Sequence, residues 1–132
     1  MRLPSSEIDG WQLMDGEQLH REAPATFEIP DLALRRILQP GDIVKLIFEI
    51  MVEGGGRDTA VERMWVVIRE RIPGGYIGML DNTPGEIAEN DTFWVGSELP
   101  FEYRHIIDVL PGDEKSLAMA RAPAPIPWDR ST

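Results

Sequence analysis

The sequence contains no cysteine. That excludes a disulfide framework, a thiolate metal site and a cysteine nucleophile together. Histidine is nearly as scarce, with His20 and His105 the two in 132 residues. They form no His-Glu-x-x-His pair. The acidic run Glu86, Glu89, Asp91 lacks the glycine and terminal glutamate of a calcium loop, so no metal and no cofactor is expected. Long apolar runs are missing too. Lys45, Glu49 and Arg69 break the best of them, and nothing approaches the roughly 18 apolar residues of a membrane span. Residues 1–10 mix Arg2, Glu7 and Asp9 with a proline and two serines and hold no apolar core of signal-peptide length. A cytoplasmic protein without membrane contact is expected.

Basic charge is the remaining shortage. Thirteen Lys and Arg stand against 23 Asp and Glu, a net charge of −10. The excess is concentrated: residues 81–114 carry nine acids against Arg104 alone, whereas 43–80 carry five of each sign. Such a surface repels phosphate backbones and anionic lipids. Nucleic acid is therefore not an expected partner; the acidic surface either keeps the chain soluble or forms a docking face for a basic protein.

What is present suits one α+β domain. The length matches the commonest domain size, and the 42% hydrophobic share is enough to fill a core. The chain divides into a helical N-terminal segment (1–41), a sheet core (42–110) and a Pro/Ala-rich tail (111–132). Asp15 is placed to cap a short helix over Glu17–Glu22. Asp31 is placed to cap another, whose residues Leu34, Ile37 and Leu38 share one face and should dock on the body. From Asp42 to Glu53, Val44, Leu46, Phe48, Ile50 and Val52 alternate with Lys45, Glu49 and Glu53, the period-two signature of a strand. Gly54-Gly55-Gly56 reads as a hairpin tip. A return strand spans about Val61–Arg71 and a third Tyr76–Leu80, with Gly78 marking a bulge, a bend or a close approach. Further strands are expected over Thr92–Val95 and Phe101–Val109. Together they predict a curled, mainly antiparallel sheet, a small partly open barrel. The segment from Lys115 to Trp128 has the composition of a disordered, polyproline-like tail, but it is expected to pack on its own body or on a second copy, with Trp128 as anchor.

Residues with the chemistry for catalysis are thinly spread. Ser97, His105 and Asp108 lie close in sequence, but no Gly-x-Ser-x-Gly elbow accompanies them, and three-residue spacing on a strand sends His105 and Asp108 to opposite faces. Gly54-Gly55-Gly56 lacks the Lys and Ser/Thr of a phosphate loop. Asp81 ends a strand beside Asn82, where such residues more often bond the turn backbone than act as acid or base. No catalytic residue is assigned. Trp65, Tyr76 and Trp94 supply aromatic surface, which lines a groove or fills a second sheet face.

Val44–Glu49, Glu62–Val66, Gly78–Pro84 and His105–Val109 occur in an order that resembles a group of small bacterial proteins defined only as a domain of unknown function. Its marks are Gly-Asp-x-Val-Lys-x-x-Phe, a Met-Trp-Val strand and Gly-x-Leu-Asn/Asp-Asn-x-Pro, and the likeness covers roughly residues 38–109. The resemblance implies no activity and no catalytic residue. It lends some support to partner binding, since similar domains are associated with bacterial toxin–immunity systems.

The expectation is a non-enzymatic binding or protein-interaction module. Its candidate rim is Trp65, Tyr76, Asp81, Asn82, Trp94 and His105, with the acidic 86–102 stretch steering a basic partner. The alternatives are a small hydrolase or isomerase using Asp81 and His105 in one pocket, and a homodimer formed through the tail.

Overall fold

A computed structural model describes residues 1–51, 59–81 and 95–131. The elements run α1 (Ser6–Asp9), β1 (Trp11–Leu13), α2 (Gly16–Glu22), α3 (Leu32–Arg35), β2 (Ile43–Met51), β3 (Thr59–Ile72), β4 (Gly75–Leu80), β5 (Glu98–Glu102), a 3-10 turn (Tyr103–His105), β6 (Asp108–Leu110) and α4 (Glu114–Arg121). All strand pairs are antiparallel, in the order β1-β2-β3-β4-β5. β6 returns to the edge of β2 that β1 also uses: β1 pairs with 48–50 and β6 with 43–45. The sheet is a half-barrel, as the strand pattern predicts.

The predicted inward face of β2 is the core. Val44, Leu46, Phe48 and Ile50 meet Met64, Val66 and Ile68 of β3, Tyr76 and Leu80 of β4, and Leu99 and Phe101 of β5. Trp11, Leu38 and Ile106 close the ends. Gly78 marks both a close approach and a nearby bulge. The register shifts on β3 between Ile68 and Glu70, while a Cβ at Gly78 would lie 2.4 Å from Val66 Cγ1 and 2.8 Å from the Val67 carbonyl. A bulge bends a strand and increases its twist, which curls the sheet here.

Two expectations need correction. α3 is a single turn, not a docked amphipathic helix: of the expected face Leu38 is buried in the core, but Leu34 and Ile37 are exposed and Asp31 makes no side-chain cap. Leu38 and polar anchoring, in place of a full apolar stripe, hold this segment. Arg35 is 5% exposed; its Nε donates to the Pro30 carbonyl (2.8 Å), and its Nη1 to Glu17 (2.6 Å) and the Tyr103 carbonyl (2.8 Å). Second, the expected strand over Phe101–Val109 is broken. Reciprocal bonds between Glu102 and His105 wind residues 103–105 into the 3-10 turn, leaving β5 and β6 on either side. The tail, disordered by composition alone, packs on its own body through Trp128, one of the two placements expected for it. Asp113 and Ser116 cap α4 reciprocally, each backbone N–H donating to the other's side chain at 2.8 Å. α4 packs on β3, where Arg69 donates to the Met119 carbonyl at 2.9 Å. The predicted hairpin tip at Gly54-Gly55-Gly56, the last two residues of the predicted Asp42–Glu53 strand, and 92–94 of the predicted Thr92–Val95 strand lie outside the described residues. Val95 is in a turn.

Among the described residues, no helix is long and apolar enough to cross a membrane.

Candidate functional site

Of the six residues of the predicted rim, the four that are described do not form one surface. Asn82 and Trp94 lie outside the described residues. Trp65 is half-buried on the outer face of β3, with the Lys45 ammonium 4.5 Å from its ring centroid, a cation–π contact. Asp81 is exposed at the end of β4, and its N–H donates to the Trp65 carbonyl at 3.0 Å. Tyr76 is a core residue, 1% exposed. Its hydroxyl donates to the Arg35 carbonyl at 2.5 Å and accepts from the Leu38 N–H at 3.1 Å, which ties the α3 segment to the sheet. Its ring meets Tyr103 edge-on, centroids 5.6 Å apart.

His105 is buried as well. The Glu102 N–H donates to its Nδ1 at 2.9 Å, so that nitrogen carries no proton. Burial lowers its pKa to about 4, and the neighbouring Arg104 charge adds to the effect. His105 is a neutral structural acceptor. Glu102, its partner, pairs with Gly75 at one end of β4, and Asp81 follows the other end. Six residues of strand span about 20 Å. Asp81 and His105 therefore do not converge on one substrate atom. Ser97, the hydroxyl of the discounted triad, is buried where β5 meets the tail.

The structure assembles a different constellation at the seam between the two edges of the half-barrel, β5 and β1. Residues 122–131 cross this seam. Ile126 forms a parallel bridge with Ser97: the Glu98 N–H donates to the Ile126 carbonyl at 2.8 Å, and the Ile126 N–H to the Gly96 carbonyl at 3.3 Å. Gly96 has φ +93, and a Cβ there would sit 2.9 Å from the Pro125 ring. Only glycine gives both the left-handed backbone and room for that proline.

Glu98 is the hub. Its side chain is 4% exposed, an unusual state for a carboxylate and tolerable only with partners. It accepts from Arg69 Nε (3.2 Å), from Arg130 Nη2 (3.2 Å) and from the Trp128 backbone N–H (3.1 Å). Arg130 also reaches Glu70 at 2.5 Å, and this contact lowers the Glu70 pKa. The Trp128 ring lies edge-on to Trp11, centroids 6.2 Å apart. Across the ring, the Arg2 guanidinium stands 4.8 Å from the centroid. Arg2 is itself held by two bonds to Asp9, at 2.7 and 2.9 Å. Burial alone would raise the Asp9 pKa, but these bonds and the Ser5 N–H outweigh it, and the net direction is down. A cleft of about 310 Å³ opens here between Arg2, Asp9, Trp11, Glu98, Trp128 and Asp129.

No family model, curated protein or solved structure matches this chain. The reading of the seam rests on its own geometry.

Sequence reasoning named Trp128 as an anchor but missed Trp11, Glu98, Arg69 and Arg130. Glu98 carries the one available signal, an acid at the head of the apolar run Leu99-Pro100-Phe101. In a chain with 23 acids that signal does not stand out.

Proposed function

We propose that this protein is a non-enzymatic interaction module for a basic protein partner. The carrying observation is the charge distribution: a net −10, with nine acids against one base in residues 81–114. Opposite charge on a partner raises the encounter rate and suppresses wrong partners, more than it raises affinity. A second observation supports the non-enzymatic reading. His105, a group that sequence offers for catalysis, has a structural duty: it accepts a backbone N–H while neutral.

The test probes the full chain against an array of peptides of matched length and graded net charge, washed at low and at high salt. Binding should rise with the Lys and Arg content of the peptide. Association of a purified hit should slow as salt rises, because screening shortens the reach of the steering charges. Equal capture of acidic and basic peptides, or association that salt leaves unchanged, overturns the proposal.

A further inference from the structure

The segment 122–131 has no apolar periodicity that would order it alone, yet it is held by the contacts with which proteins capture extended peptides. In strand addition, main-chain bonds to a sheet edge give affinity, and alternate side chains entering fixed sites give specificity. Both parts are present. The backbone of Ile126 is bonded to Gly96 and Glu98 on the β5 edge. Two and four residues on, Trp128 sits between Trp11 and Arg2, and Arg130 lies on Glu98 and Glu70. The body's side of these contacts stands independently of the segment. Arg2 is fixed by Asp9, Glu98 is also bonded to Arg69, and Trp11 packs on Phe48 with centroids 5.8 Å apart. The resident segment is an imperfect fit. The Trp128 indole Nε1 is buried and finds no acceptor among the described residues, and a buried donor left unbonded weakens a complex.

We infer that the seam between β5 and β1 is a peptide-binding site whose ligand is an extended basic segment of the pattern apolar-x-Trp-x-Arg, and that residues 126–130 are its resident, displaceable occupant. The inference rests on the interaction-module reading and gives that partner a chemistry. The positive charge of the incoming arginine meets Glu98 and Glu70, and its indole takes the Trp11–Arg2 slot. The resident segment competes from a high effective concentration because it is tethered. It therefore sets a threshold that an incoming segment must exceed, which favours segments able to satisfy the indole N–H as well.

The test uses the full chain carrying Trp128→Ala and Arg130→Ala, which weakens the resident and leaves the receiving side intact. A labelled peptide of residues 122–132 is titrated in, followed by fluorescence anisotropy. The double variant should bind it saturably, and the wild-type chain at least tenfold more weakly. A peptide with the same two alanines should bind neither. Absence of binding by a double variant that retains cooperative melting overturns the inference, as does equal binding of the alanine peptide.

If the double variant does not fold, the wild-type chain is titrated with excess unlabelled peptide and its Trp128 indole and Ile126 amide signals are followed by NMR. Displacement moves both; unchanged signals at saturating peptide overturn the inference. A wild-type dimer that the double variant abolishes would place the segment in a second copy and overturn the assignment to a separate partner. The two proposals fail separately. Salt-sensitive capture of basic peptides lacking the Trp-x-Arg pattern, with no binding of the tail peptide, removes the seam and keeps the module. Tail-peptide binding without any preference among basic and acidic arrays does the reverse.

Discussion

Acidification from neutral pH towards pH 4 should destabilise this protein through His105. The ring is 2% exposed and its pKa is lowered to about 4, first by burial and then by Arg104, against partial relief from Glu102, Asp15 and Glu17. An unfolded histidine titrates near 6.5. Above that pH the ring is neutral in both states and contributes no pH dependence. Between about 6.5 and 4 the unfolded chain binds a proton that the native chain refuses, so stability falls as pH falls. The fall from near 6.5 to about 4 corresponds to about 3 kcal/mol, lost by the time the pH reaches the native pKa.

The assay is urea unfolding, followed by tryptophan fluorescence at a series of pH values, for the wild type and for His105→Asn. Asparagine keeps an acceptor for the Glu102 N–H and does not titrate. Packing loss makes the variant less stable at pH 7 by about 1–3 kcal/mol. Its curve should then run closer to flat, so that the gap between the two proteins narrows on acidification. Carboxylate titrations common to both cancel in the difference. Parallel profiles from pH 6.5 to 4, or a native His105 midpoint near 6.5 by NMR, would refute the reasoning.

Other consequences follow from the polar anchors and the curl. Tyr76→Phe strips a donor from the Arg35 carbonyl and an acceptor from the Leu38 N–H; about 1–3 kcal/mol should be lost in denaturant melts, with the α3 segment exchanging its amides faster. Arg35→Lys keeps the charge but cannot reach Pro30, Glu17 and Tyr103 together as the planar fork does. Its melting temperature should drop well below wild type, and a variant as stable as wild type would show the fork to be dispensable. Gly78→Ala drives a Cβ against Val66 and the Val67 carbonyl. Because the opposing atoms include backbone, the expected cost is at least about 1–3 kcal/mol, read as a lowered urea midpoint.

The period-two run in β2 determined the core face, since a strand with Val44, Leu46, Phe48 and Ile50 on one side has a single way to bury them. Asp15 capped its helix as its position predicts, donated to by the Gln18 N–H at 3.0 Å. Gly78 and the strand spacing announced a curled sheet, because these are local signals carried by adjacent residues. Elsewhere the outcome depended on contacts between distant residues. Leu34 and Ile37 have helical spacing but stay exposed, because Arg35 reaches Tyr103, 68 residues away, and fixes the turn by polar bonds. His105 has the chemistry of a catalyst but is buried and made neutral by the turn it helps to wind. Among the described residues of the predicted rim, Trp65 and Tyr76 part company because the two faces of β3 and β4 send Trp65 outward and Tyr76 inward.

The tail shows the division most clearly. Composition alone fixes that residues 122–131 cannot order themselves, having no periodic apolar face. Their order comes from Glu98, Trp11, Arg2 and Glu70, each brought from another part of the chain. The sequence by itself determined strands β2, β3 and β4 and which face of β2 turns to the core. The tertiary structure alone decided where the half-barrel's open seam lies and what covers it, because a seam exists only once the first and last strands of the curled sheet stand near each other in space.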